Sequence, residues 1–316
     1  MENFIFSLNA TMPVFLVIVA GWFLMQLKLF NREFLAVADK YVFKVALPVL
    51  LFRDIATTDL REGFQLKFVL FCMAATTVMF LGIWGLASLL MKDKSMVGAF
   101  TQAAARGSAA VLGIAFVENI YGNSGMAPLM IVSAVPLFNI YSVIILTLCA
   151  GDSHAKSRGE TIKRAFLNVL KNPIIIGIAL GVPFSLLNIR LPVILSKAVA
   201  NIAGTATPIA LLVVGANFEG RKALSKLKPT LIASLLKLLV IPAVFFPFAV
   251  MLGFRGSELV AILVMLGSPT TVTCYIMAKN MGNDAELSAS AVVMATLLSS
   301  VTLTFWIFLL KTLSLI

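Results

Sequence analysis

The residues of this sequence with chemistry to offer are one arginine, two glycine-containing breaks and a row of hydroxyls. The stretch GAFTQAAARGSAAVLGIAFVENIYGN sets Arg106 directly before Gly107 and Ser108, with Gly113 further on. The stretch AILVMLGSPTTVTCYIMAKNMGND holds Gly267, Ser268, Pro269, Thr270 and Thr271. Glycine permits irregular backbone and proline cannot donate a helical hydrogen bond, so each stretch can interrupt a helix. The half-helix N-termini exposed at such breaks carry free N–H groups and partial positive charge, which suit an anion. The guanidinium of Arg106 adds a planar fork for a carboxylate. No Asp or Glu lies in the central residues of either stretch, where a cation or proton antiporter would carry one. The plainer reading is that Gly and Pro only allow close packing or a kink, and that Arg106 clamps the broken backbone.

The rest of the chain offers little to catalysis. Cys72, Cys149 and Cys274 have neither disulfide nor zinc spacing, and His154 is the single histidine. No span pairs a nucleophile with a base, so the sequence does not read as an enzyme and calls for no cofactor or metal.

The elements that must position these residues follow from composition. Of 316 residues, 60% are hydrophobic and 12% charged, and the mean hydropathy is +1.01. A soluble domain is nearer half apolar and a quarter charged, so the bilayer must serve as solvent. A hydropathy window separates ten spans, at 5–27, 34–54, 66–91, 95–120, 126–150, 168–188, 193–217, 230–252, 257–280 and 287–311. The N-terminus has Glu2 and no basic region, so the first span reads as a membrane helix rather than a cleavable signal. The net charge of +11 is scattered in short clusters between spans, which suits an anionic leaflet and not nucleic acid. Alternate loops carry 14 and 7 basic residues. The positive-inside rule then places the richer set in the cytoplasm and both termini outside, in a multi-pass protein of the cell membrane.

A single offset of 160 residues pairs Pro13 with Pro173, Gly21 with Gly181 and Pro48 with Pro208. It also pairs Gly107-Ser108 with Gly267-Ser268, and Gly122-Asn123 with Gly282-Asn283. The matches fall on backbone-breaking residues, with Pro48 and Pro208 as further helix breakers. Residues 1–150 and 166–316 thus form two repeats of five spans, joined by a polar, basic linker at 151–165. An odd number of spans inverts the second repeat, a recurrent build of transporters, with substrate held where broken helices of the two halves cross. The expected fold is therefore all-α integral membrane: ten transmembrane helices as two inverted five-helix repeats, with spans four and nine broken and crossed.

Other polar residues within spans have simpler readings. Lys237 can reach the cytoplasmic interface by snorkelling, or act as a charge that shifts during transport. Asp39, Lys40 and Lys44 read as interfacial anchors, Arg53 and Asp54 as an outer pair, and Glu118 and Lys279 as interfacial groups with gating as the alternative. Thr205, Thr207 and Asn217 read as glue between helices, with Thr207 also placed to face a cavity.

The motifs resemble the auxin efflux carrier family, which includes plant carriers and bacterial organic-acid permeases. GSAAVLGIAF and VENIYG are similar to its fourth-span motif, and SPTTVTCYIMAKNMGNDAELSASAVV to its ninth. KVALPVLLFRDIA, KNPIIIGIALG and TPIALLVVGANFEG resemble its second, sixth and seventh spans. In this alignment of motifs Gly107 and Ser108 stand for the family's first crossover proline and asparagine. Pro269 is retained, Thr270 stands for a glutamine and Ala115 for a second proline. The fifth-span amide that faces substrate corresponds to Asn139. The resemblance implies a secondary transporter for a small organic anion. That anion is a mono- or dicarboxylate, auxin-like or like malate or malonate, and hydroxyls in place of amides favour the latter. It also implies a homodimer, with spans one, two, six and seven as scaffold and the remaining spans as the moving part. Two other readings stay open: a sodium- or proton-coupled symporter of the bile-acid type, and a non-transporting receptor that keeps a carrier fold.

Overall fold

A computed structural model describes residues 2–57, 65–109, 116–117, 120–123, 125–150, 167, 170–218 and 225–316. Gly113, Ala115, Glu118, His154 and the linker 151–165 lie outside the described residues. Apart from one isolated bridge between Gly107 and Thr270, the regular structure described is helical.

In chain order the helices are α1 (Glu2–Gln26), α2 (Arg32–Tyr41), α3 (Leu47–Ala56), α4 (Leu66–Leu90), α5 (Val97–Ala105), α6 (Ala127–Cys149) and α7 (Pro173–Leu186). There follow α8 (Val193–Gly204), α9 (Ala206–Ala216), α10 (Leu227–Leu235), α11 (Ile241–Met251), α12 (Ser257–Gly267), α13 (Thr273–Asn280) and α14 (Ala285–Thr312). Widened π-helical turns, Val42–Ala46 and Leu236–Val240, join α2 to α3 and α10 to α11. Each is followed closely by a proline, Pro48 or Pro242, which cannot continue the ladder of hydrogen bonds.

Local sequence sets the starts. The Asn31 side chain accepts from the Phe34 N–H at 2.7 Å, Asn172 from Ile174 at 2.9 Å, and Asp284 from Leu287 at 2.9 Å. Each satisfies a donor that a helix N-terminus leaves unpaired.

Among the described residues five stretches are long and apolar enough to cross a bilayer: Leu66–Leu90, Ala127–Cys149, Val193–Ala216, Leu227–Met251 and Ala285–Thr312. Phe15–Gln26, Pro173–Leu186 and Ser257–Gly267 are apolar but shorter. Helix α4 is apolar all round: Phe68, Cys72 and Phe80 are buried, while Leu70, Val78 and Leu89 are exposed. Such a helix needs lipid on its outer face.

Glycine brings two helix pairs into backbone contact. A Cβ at Gly215 of α9 would strike the Ile18 carbonyl of α1, and one at Gly21 would lie 2.8 Å from Leu212 Cα. Likewise a Cβ at Gly177 of α7 would lie 2.8 Å from Pro48 Cα in α3, and Gly181 abuts Phe52 and Ile55. Small residues are the usual means of close approach where hydrophobicity gives no drive between helices.

The loop contacts divide into two groups. Lys279 meets Asp39, Lys226 meets Asp284 at 2.9 Å, and Asn283 Nδ2 donates to the Leu146 carbonyl at 2.9 Å. In the other group Lys67 donates to the Leu252 carbonyl, the Gly256 N–H to Leu315, and Phe68 packs on Phe254. Each contact joins helix ends or loops that the sequence reading assigns to one side of the membrane, and none of these joins one side to the other.

Candidate functional site

Helix α5 stops at Ala105 because the chain turns extended at Arg106, with φ −89° and ψ 117°. Helix α12 stops at Gly267, where Ser268 has φ −69° and ψ 153°, and α13 resumes at Thr273. The two breaks are stitched to each other. Gly107 pairs with Thr270 in an antiparallel bridge, and the Ser108 N–H donates to the Pro269 carbonyl at 2.9 Å. The Thr270 hydroxyl donates to the Ala103 carbonyl at 2.7 Å, at the open end of α5. Peptide groups freed by one break thus find partners in the other, which is how irregular backbone survives at membrane depth. A Cβ at Gly107 would meet Ser268 Oγ and lie 2.9 Å from Lys237 Cε, so a larger residue there would displace these two side-chain ends.

Arg106 is buried, with 4% of its surface exposed. Its Nη2 donates to Asn139 Oδ1 at 2.7 Å, and its Nη1 lies 2.7 Å from Met277 Sδ. Asn139, on α6, is held in turn through its Nδ2, which donates to the Val135 carbonyl at 2.8 Å. The fork is therefore aimed, but by neutral acceptors only.

A second cation lies at the same crossing. Lys237 is 0% exposed, and its Nζ donates to the carbonyls of Leu266 at 2.7 Å and Met265 at 3.1 Å. The sequence reading of a snorkelling lysine is corrected here. The π-helical turn at Leu236–Val240 and the close packing of α12 turn the side chain inward, where the last carbonyls of α12 outcompete distant water. Among the described residues neither Arg106 nor Lys237 has a carboxylate partner. Carboxylates pair with other cations instead, in Arg53–Asp54, Lys226–Asp284 and Lys279–Asp39.

Beside the crossing lies a cavity of about 60 Å³. Arg106, Gly107, Ser108 and Thr271 line it, with Leu47 and Asp54 from α3, Phe138 from α6, and Thr207 from α9. Ser268 and Thr270 are buried behind this surface, and the Ser268 hydroxyl has no partner among the described residues. Gly267 packs toward Pro242, 3.0 Å from where its Cβ would stand. Of the sequence-derived site, then, Arg106, Gly107, Ser108, Asn139, Ser268, Pro269, Thr270 and Thr271 come together. Pro48 and Pro208 do not line the cavity; their neighbours Leu47 and Thr207 do.

Sequence reasoning missed Lys237, Met277 and Asp54 as parts of this region. A lysine inside an apolar run was the available signal for the first; nothing in the sequence marked the methionine. Asp39 also departs from its reading as an interfacial anchor. It is buried and paired with Lys279 of α13, whose Nζ also lies 3.0 Å from the Tyr275 hydroxyl. Among the described residues no cluster of three His, Cys, Asp or Glu forms that could hold a metal.

A family model described as "Membrane transport protein" matches residues 6–307. The chain is similar to an "Uncharacterized transporter" of Methanothermobacter thermautotrophicus, with 23% identity over 306 residues, 96% of this chain and 98% of the other. It is 22% identical over 304 residues to a "Putative malonate transporter" of Rhizobium meliloti, covering 95% and 94% of the two chains. An "Uncharacterized transporter" of Methanocaldococcus jannaschii is 18% identical over 306 residues, covering 95% and 97%.

Proposed function

The chain belongs to the membrane transport protein family, the auxin efflux carrier family that its motifs resemble, and from this we propose that it is a secondary transporter moving a small organic anion by alternating access. The observation that carries the reading is the pair of buried cations at the meeting breaks, Arg106 and Lys237, whose direct partners are neutral, while the Asp54 carboxylate on the cavity wall is paired with Arg53. A buried charge needs a counter-charge or a full set of hydrogen bonds. Arg106 alone of the two faces the cavity, so a substrate carboxylate there would complete its fork. Ser108 and Thr271 supply hydroxyls on the same wall, and Asn139 holds the guanidinium in place.

The architecture proposed is ten spans in two inverted repeats. An offset of 160 residues carries Gly21 onto Gly181 and Phe52 onto Leu212. The contact of Gly21 with Leu212 therefore has its counterpart, with the halves exchanged, in that of Gly181 with Phe52. A two-fold axis between the halves produces such exchanged pairs. The sorting of loop contacts into two alternate sets supports ten crossings. The glycine-mediated pairs α1–α9 and α3–α7 support a rigid scaffold of spans one, two, six and seven, which we assign as the homodimer face.

The name of the Rhizobium relative makes malonate the first substrate to try. Purified protein in sealed liposomes should take up labelled malonate or malate saturably, and Arg106→Ala should abolish it. Uptake no greater than in empty liposomes across a panel of small carboxylates, with binding retained, would favour the receptor reading instead. Uptake that requires a sodium gradient would favour the bile-acid type of symporter, and uptake that follows a pH gradient alone would indicate proton coupling.

A further inference from the structure

The geometry points to a cation site at the C-terminus of α12 that the chain fills for itself, with the ammonium of Lys237. This rests on the transporter reading above and names a partner-ion requirement of the same crossing. Helix α12 ends in the middle of the fold, at Gly267, and its last carbonyls have no helical donor. They carry the partial negative charge of the helix dipole. In water such carbonyls are solvated, but Met265, Leu266 and Gly267 are buried. A cation bound by backbone carbonyls is one remedy, and Lys237 supplies it from the neighbouring span with bonds of 2.7 and 3.1 Å.

Two further observations fit an ion-like role rather than simple packing. The ammonium stands against the crossing itself: a Cβ at Gly107 would lie 2.9 Å from both Lys237 Cε and Nζ. Beside it the Ser268 hydroxyl is fully buried and unpartnered among the described residues. Two carbonyls bonded to a small positive charge, with an unbonded hydroxyl nearby, are the kinds of oxygen that a dehydrated monovalent cation takes. With the ammonium tethered in place, no sodium ion is needed to neutralise the carbonyl end of α12. The wild-type crossing is thus assigned as sodium-independent.

The test compares wild type, Lys237→Ser and Lys237→Met in detergent, by thermal unfolding in sodium chloride and in choline chloride at equal ionic strength. It needs no substrate. The wild type should melt at the same temperature in both salts. Lys237→Met, which keeps the length but blocks the site, should melt several degrees lower in both. Lys237→Ser, which opens the site, should melt low in choline and recover part of the loss in sodium. In liposomes, uptake by Lys237→Ser should be lost in choline and partly restored by sodium. A Lys237→Met protein as stable as wild type would overturn the inference. So would a Lys237→Ser protein indifferent to sodium, or a wild type stabilised by sodium as much as that variant. If no substrate is ever transported, the unfolding measurements still decide the cation site, so the two readings fail separately.

Discussion

Arg106 shows how a residue held in a structural contact can also be placed for the proposed function. Its guanidinium bonds Asn139 and Met277, yet it also lines the cavity. Removing it deletes a charge-assisted contact of about 1.5–3 kcal/mol, which is roughly tenfold or more in affinity. Arg106→Ala should therefore weaken organic-anion binding by at least that factor in titration calorimetry. Arg106→Lys should not rescue it, because a single ammonium cannot reach Asn139 and a carboxylate with the same fork. Thr270 belongs to a different class. Its hydroxyl caps the Ala103 carbonyl rather than facing the cavity, so Thr270→Val should cost stability first, by about 1 kcal/mol. A lowered melting temperature with unchanged affinity at low temperature would be the signature.

At the scale of elements, the breaks matter less as kinks than as mutual partners. Each of α5 and α12 ends in backbone that the other break completes, so neither could stop there alone. Helices α1, α3, α7 and α9 instead meet through glycine, with no side chain between them. Gly177→Val should drive its branched side chain into the Pro48 backbone and destabilise the protein by about 2–4 kcal/mol, within the range of overpacked sites. Gly85→Ala, within α4 where nothing lies within 4 Å, is the control and should not lower the melting temperature. The pair Asp39–Lys279 joins α2 to α13, that is, the proposed scaffold to the proposed moving part. Alternating access would have to break and remake it. Asp39→Lys and Lys279→Asp should each impair uptake, and the double exchange should recover a large share of it. No recovery would show that the pair does not act as a latch.

At the scale of the whole molecule, orientation is the most direct prediction. In a cysteine-free background, Arg255→Cys should react with a membrane-impermeant maleimide in intact cells. Lys92→Cys, also exposed but in the basic set of loops, should react only after permeabilisation. The reverse pattern would invert the assignment of both termini. The sequence by itself marked the chain as a membrane protein, and its 160-residue register and two glycine-containing breaks raised the expectation of a repeat with a site at those breaks. Those properties are carried by composition and by residues such as Gly107 and Pro269, whose effect on the backbone is local and so can be read in one dimension. Helix length was less legible, because among the described residues five of the ten expected spans fall short as unbroken apolar helices once prolines and breaks divide them or their ends go undescribed. Only the tertiary structure decided that Lys237 points inward to α12, that Met277 and Asn139 share Arg106, and that Asp39 finds Lys279 across 240 residues of chain. A side chain's direction and partner depend on which surfaces pack together, and that is set by contacts between segments far apart in sequence.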